Sequence, residues 1–194
     1  MPTLTIFAGV NGAGKTTLYR HQLVKDVNNV SQFRVNPDEI LQEFGGDWRS
    51  VNDQYKSAMI ALNKIDDYLH QKVSFNWETT NLARKHIVFL KKAKELNYKI
   101  NLYFVSVEKL DVALERIKLR VEKGGHNVDS KLVEKRFINQ FYNLKEALNY
   151  IDNAIFFDNT TTIKIVATYA NKHFIFIDDK TKWTKELNEY VITK

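Results

Sequence analysis

Gly9-Val10-Asn11-Gly12-Ala13-Gly14-Lys15-Thr16 satisfies G-x-x-x-x-G-K-[ST] at every fixed position, and it starts where the apolar run Leu4-Thr5-Ile6-Phe7-Ala8 stops. A strand that opens into such a loop binds phosphate. Gly9, Gly12 and Gly14 allow the backbone N–H groups around Asn11 and Ala13 to turn inward on an anion. Lys15 reaches the β- and γ-oxygens, the Thr16 hydroxyl can ligate Mg²⁺, and the helix that runs on through Thr17 points its positive end at the same charge. A nucleoside triphosphate with Mg²⁺, ATP or GTP, is the ligand this spacing asks for.

Further residues could act on a transferring phosphoryl group. Asp38 follows a short strand, where a carboxylate can accept the proton of an attacking hydroxyl. Its ordinary pKa of about 3.9 makes it a weak base, but a loose transition state needs orientation and late proton acceptance more than basicity. The same aspartate can cap a helix, and one carboxylate can do both. Glu78, at the end of another strand and before Thr79 and Thr80, could hold acceptor hydroxyls or a magnesium-bound water, or cap the next helix. Arg116 and Arg120 lie one turn apart just before Gly124-Gly125, and Arg136 lies beyond that break, beside Lys131 and Lys135. Arginines flanking a glycine-hinged loop suit a kinase lid, whose guanidinium groups fork onto phosphoryl oxygens and whose closure excludes water. A solvated helix pair joined by a turn is the plainer reading. His126, inside the loop, reads as a loop residue or a substrate contact, with no part in proton transfer.

The elements that must carry these groups alternate. Thr17 to Leu23 is helical, with Leu18 and Leu23 inward. Val30 to Val35 is a second strand, closed by Asn36-Pro37-Asp38, which also caps a helix from near Glu39. Trp48 to Gln71 carries Val51, Tyr55, Met59, Leu62, Ile65 and Leu69 at spacings of three and four, a long amphipathic helix. Lys72 to Trp77 is a third strand. A helix with Leu82, Val88, Phe89, Ala93 and Leu96 follows it, and Tyr98 to Val107 is a fourth, well-buried strand. Residues 108–122 are helical, and Asp129 or Ser130 caps a helix to about Tyr150. Ala154 to Phe157 is a fifth strand. Such alternation predicts an α/β fold: a parallel five-stranded sheet covered by helices on both faces. Thr161 to Tyr169 and His173 to Ile177 then read as an antiparallel β-hairpin at the sheet's edge, with a short helix from Thr184. Ligands of such sheets collect beyond the carboxyl ends of the strands, here near Gly9, Asp38, Glu78 and Asp158. The expectation is one domain over residues 1–194, with a lid at about 116–136 and the hairpin and helix at about 161–194.

With 194 residues, 44% of them apolar, the chain can bury a substantial core without staples. It has no cysteine, which excludes disulfides and thiolate-bound metal and suits a reducing compartment. No basic segment leads an apolar one at the N-terminus, and no run approaches the ~18 apolar residues of a membrane helix, so a soluble, cytoplasmic protein is expected. A net charge of +6 favours anionic partners: a nucleotide sugar, an acidic protein or nucleic acid. Lys91, Lys92, Lys94 and Lys99 surround one helix-to-strand passage and do not alternate with aromatics along a groove, which disfavours nucleic acid and favours a compact basic pocket. The Leu-Ser-Gly-Gly-Gln string of transporter-type ATPases is absent.

The ordered set Gly9 to Thr17, Val35-Asn36-Pro37-Asp38-Glu39-Ile40, Phe75-Asn76-Trp77-Glu78-Thr79-Thr80, and Arg120-Val121 with Gly124-Gly125-His126 and Arg136-Phe137 resembles the zeta toxin family of small P-loop kinases. The likeness spans residues 4 to about 160, and its specificity lies in the order of the blocks after the phosphate loop. The resemblance implies a nucleoside-monophosphate-kinase-like fold and ATP-dependent phosphorylation of a UDP-activated amino sugar at a hydroxyl. It also implies toxicity on expression and a small antitoxin that blocks the nucleotide site. By position, Lys15 and Thr16 match the residues that hold ATP and Mg²⁺, and Asp38 the carboxylate that engages the attacked hydroxyl. Glu78 and Thr80 match the substrate-binding pair, and Arg120 and Arg136 the two phosphate clamps. Arg116 and His126 are added to the acceptor side. The family's Asp-x-Asp reads Asn36-Pro37-Asp38 here, which bears on the acceptor more than on the reaction. A polynucleotide or RNA kinase, another metabolite kinase, and a non-catalytic nucleotide switch are the competing readings.

Overall fold

The computed structural model describes residues 1–20, 33–80, 82–178 and 180–189. The predicted strand residues before Phe33 and the predicted helix from His21 to Leu23 lie outside them. Seven strands and seven helices are described, in the order β1 (Thr3–Ala8), α1 (Lys15–Arg20), β2 (Arg34–Val35), α2 (Pro37–Glu43), α3 (Val51–His70), β3 (Phe75–Thr79), α4 (Arg84–Glu95), β4 (Lys99–Ser106), α5 (Leu110–Glu122), α6 (Ser130–Leu148), β5 (Asn153–Asp158), β6 (Lys164–Ala170), β7 (His173–Phe176) and α7 (Lys182–Leu187).

The strands form one mixed sheet in the order β2-β3-β1-β4-β5-β6-β7. The first five are parallel, so Ala8, Val35, Thr79, Ser106 and Asp158 end at one edge. β6 and β7 continue the sheet antiparallel, as the hairpin prediction requires. β1 is the middle one of the five parallel strands and is buried from Leu4 to Ala8, the continuous apolar run that a strand covered on both faces must have. Its residues alternate between two cores: Leu4, Ile6 and Ala8 pack with Trp77, Phe104 and the α3, α4 and α6 faces, and Phe7 packs with Leu18, Tyr103 and Ala113 on the other side.

Several boundaries shift from the sequence reading. Asn36, not Asp38, caps α2: its side-chain oxygen accepts the Asp38 N–H at 3.0 Å, and Pro37 occupies the first helical position, where its missing N–H costs nothing. β3 begins at Phe75 and contains Glu78, because Lys72 takes a positive φ of 53° and turns the chain before the sheet. α3 begins at Val51, capped by Ser50. Its buried face is Ser57, Ala61, Ile65 and Leu69, while Val51, Tyr55 and Met59 are exposed. The predicted apolar stripe meets the core only from Leu62 onward, because the first half of α3 stands over a cleft and not over the sheet. Val88 is likewise exposed, and α4 packs through Ile87, Leu90 and Ala93. α7 starts at Lys182, two residues earlier than predicted. Among the described residues no helix is long and apolar enough to cross a membrane.

Candidate functional site

β1 delivers the chain into the glycine loop, and the loop is wedged against its neighbours. Gly12 has φ +80°, and a Cβ there would lie 2.3 Å from the carbonyl oxygen of Ala113 on α5, so no larger residue fits. Asn159, just past β5, donates from Nδ2 to the Ala13 carbonyl at 2.8 Å and pins the loop from the other side. Lys15 is buried, and its Nζ donates to the Val10 carbonyl at 3.1 Å. Burial lowers its pKa; Glu78 and Asp38 pull the other way, and the Arg136 and Arg120 charges add to the lowering. A lysine stripped of water and held among guanidinium groups favours an anion beside it.

Glu78 is the node of the adjoining strand. The parallel register of β2 on β3, Val35 opposite Trp77, brings Arg34 and Asn36 to it, and β1's register on β3 brings the phosphate loop. Thr16 Oγ1 donates to Glu78 Oε1 at 2.8 Å, Arg34 donates to Oε2 at 2.5 Å, and Asn36 Nδ2 lies 3.3 Å from Oε2. Arg34 also donates from Nε to Glu39 at 2.9 Å, and its guanidinium carbon lies 3.6 Å from the centre of the Tyr19 ring. Burial opposes the Arg34 charge, but Glu39 and Glu78 outweigh it and hold its pKa above the ordinary value. Glu78 therefore caps no helix; α4 starts at Arg84 without a side-chain cap.

The opposite wall is the break between α5 and α6. Gly124, at φ +83°, ends α5, and Asp129 caps α6 by accepting the Leu132 N–H at 3.0 Å. Arg136 NH1 reaches across to Asn11 Oδ1 at 2.6 Å; burial lowers its pKa, with Asp38 opposing. Arg116 donates to the Thr160 carbonyl at 3.2 Å, which places it beside Asn159, on the phosphate-loop side of the cleft. Arg120 Nε and NH2 and Arg116 NH1 are buried and have no hydrogen-bond partner among the described residues. His126 Nε2 stands 3.4 Å from Asp38 Oδ2.

These walls enclose a cleft of about 1380 Å³. Every residue proposed from the sequence lines it except Gly9 and Ala13. Gly9 backs onto Val105, and Ala13 is buried with Phe7 and Leu18. Asp158 also departs from expectation: its buried carboxylate accepts from Trp183 Nε1 at 3.1 Å and Thr160 at 2.6 Å, and it holds α7 on the sheet. Arg34 and Asn159 are site residues that the sequence reading missed. Their signals, an arginine five residues ahead of Glu39 and an asparagine directly after a strand, are too common to stand out alone. Also overlooked is the string Asn63-Lys64-Ile65-Asp66, which has the wording of a guanine-binding loop. It lies inside α3, with Ile65 in the core, Lys64 paired to Glu43 and Asp66 to Lys92, so it is helix and not a base-reading loop.

A family model described as Zeta toxin matches residues 1–183. An uncharacterised protein of Haemophilus influenzae is 25% identical over 131 residues, 68% of this chain and 89% of that one. Among solved structures, the AvrRxo1-ORF1:-ORF2 complex with ATP contains a chain that superposes with a TM-score of 0.73 at 18% identity, covering 98% of this chain and 63% of that one. This chain thus spans less than two thirds of that neighbour's length. A chain from the PezAT chromosomal toxin-antitoxin system of Streptococcus pneumoniae gives 0.62 at 16% identity, covering 100% of this chain and 80% of that one. At such identities the superpositions show a shared P-loop kinase-like fold. Joined to the family match over nearly the whole length, they make this chain a member of the zeta toxin family.

Proposed function

We propose that the chain is an ATP-dependent kinase that phosphorylates a hydroxyl of a nucleotide sugar, UDP-N-acetylglucosamine or a close relative. The observation that carries this reading is Arg120. Its Nε and NH2 are buried without partners on the same cleft as Lys15 and Asp38, and buried guanidinium N–H groups are costly unless an anionic oxygen meets them.

The donor side fits a triphosphate: a loop that a Cβ would block, a dehydrated lysine, and guanidinium groups with unmet hydrogen bonds. The Thr16 hydroxyl and the Glu78 carboxylate form a small, all-oxygen set suited to Mg²⁺, which keeps most of its waters. Thr16 would hold the metal directly and Glu78 one of its waters. When bound, ATP with Mg²⁺ supplies a γ-phosphoryl group whose charge is partly neutralised. The chain's own residues do the rest. Asp38 takes the proton of the acceptor hydroxyl, Glu78 and Thr80 orient the acceptor, and Arg120 and Arg136 lie against the phosphoryl oxygens while residues 123–129 cover the cleft and exclude water.

The test is incubation with ATP, Mg²⁺ and a panel of nucleotide sugars, read by mass spectrometry. A phosphorylated sugar from the wild type, reduced at least about 100-fold by Asp38→Ala, is the expected result. No product with any acceptor removes this substrate class. A small antitoxin seated over the cleft is part of the same proposal. Growth arrest by the wild type, relieved by Asp38→Ala, is its counterpart in cells, and healthy growth with both proteins removes it.

A further inference from the structure

The proposed reaction leaves His126 without a task. It lies two residues past Gly124, on the loop between α5 and α6, with its side chain only 19% exposed. Its Nε2 lies 3.4 Å from Asp38 Oδ2 on α2, an element that shares no backbone ladder with the loop. Asp38 itself is half exposed, at the first turn of α2. Its backbone N–H is held by Asn36, and among the described residues His126 is the basic side chain within 4 Å of its carboxylate. Arg136, on α6 just beyond the loop, makes a second crossing, to Asn11. The helix that follows the loop is therefore tied to the donor side, and the loop itself to the carboxylate on the acceptor side.

We infer that His126 is a positioning residue: its Nε2 engages Asp38 Oδ2 when residues 123–129 lie over the cleft, so that covering the cleft and aiming the acceptor carboxylate are one event. The inference rests on the kinase reading for the role of Asp38. A donor on Oδ2 leaves Oδ1 free to take the acceptor proton, and with the loop lifted the carboxylate turns freely in solvent. The groups facing the imidazole favour its neutral form, whose Nε2–H is a donor within reach of Asp38. Burial acts first, and the Arg120 and Lys15 charges add to it, while Asp38 alone works the other way; together they hold the ring below the ordinary imidazole value of 6.5. Protonating the ring would turn this donor into a cation that grips Asp38 and opposes its taking a proton. Activity should therefore fall on an acid limb placed below the ordinary imidazole value.

Two measurements test this on the full chain. The first needs no acceptor: the His126 ring is titrated by NMR, its signal assigned among the five histidines by its absence in H126Q. Asp38→Asn should move the His126 midpoint to lower pH, because it removes the one charge that supports the imidazolium. The second is kinetic, with UDP-N-acetylglucosamine as the probe acceptor. H126A should lower kcat about 10- to 100-fold with the KM for ATP little changed. H126Q, whose amide can still donate to Asp38, should recover most of that loss and lack the acid limb. A His126 midpoint indifferent to Asp38→Asn overturns the inference whatever the activity. So does an H126Q enzyme as slow as H126A with its acid limb intact. If the midpoint moves but no hydroxyl acceptor is phosphorylated, the contact stands and the kinase reading falls.

Discussion

Three donors converge on the Glu78 carboxylate, and Arg34 is the one that carries a charge. Both partners of that ion pair are nearly sealed, at 11% and 8% side-chain exposure, so removing the guanidinium leaves a buried carboxylate without its counter-charge. Arg34→Met, which keeps most of the volume, should cost about 3 kcal/mol in urea unfolding. It should also weaken the binding of Mg²⁺ with ATP, because Thr16 loses a fixed acceptor; calorimetry with and without the metal checks this. Arg34 shows why part of the site was illegible. Lys15 and Thr16 declare themselves by type and spacing, since a phosphate loop needs those groups in that order, and Asp38 stands out by its place after a short strand. An arginine in a two-residue strand has no such signature. Its meaning depends on a β2–β3 register that local sequence does not encode.

Among the elements, the strands were the most legible, because burial on both faces leaves a continuous apolar run such as Leu4 to Ala8, and no helix period competes with it. α3 was the least. Two stripes run along it, one through Val51, Tyr55 and Met59 and one through Ser57, Ala61, Ile65 and Leu69, and hydrophobicity alone favours the first. The small Ser57 and Ala61 are buried on the side of α3 that faces the cleft, a placement that composition does not show. α7 is only six residues long, too short to be stable by itself, and is held by Trp183, which stacks on Phe141 with ring centroids 6.1 Å apart and donates to Asp158. Trp183→Ala should therefore cost about 3–5 kcal/mol, the range for emptying an aromatic site in a core. Trp183→Phe, which keeps the stacking and loses the indole N–H, should cost about 1–3 kcal/mol, because the buried Asp158 Oδ1 then keeps only the bond from Thr160. Equal losses in the two variants, measured by thermal or urea unfolding, would mean that the hydrogen bond and not the stacking holds the helix.

At the scale of the molecule, the strand order places β1 at the centre of the parallel strands and sends both its neighbours' carboxyl ends to the same edge, so a phosphate loop, Glu78 and the residues after β5 meet without any long connection crossing the sheet. The alternation of elements announced that edge. It could not announce how far the α5–α6 break would fold back over it, which depends on the direction of two helices in space. α5 is where those two halves are joined. Its Ala113 carbonyl abuts Gly12, and seven residues on, about 10 Å along the axis, Arg120 hangs over the cleft. On the proposed kinase reading the helix acts as a ruler between the phosphate loop and Arg120, graduated in steps of one residue. One alanine inserted after Lys118 would leave Ala113, Arg116 and Ile117 seated but swing Arg120 by about 100°. Such a protein should still bind a fluorescent ATP analogue and no longer turn over. Shortening or lengthening this rod by a single unit thus separates holding the nucleotide from using it, something that substitution of any one side chain along the cleft would blur.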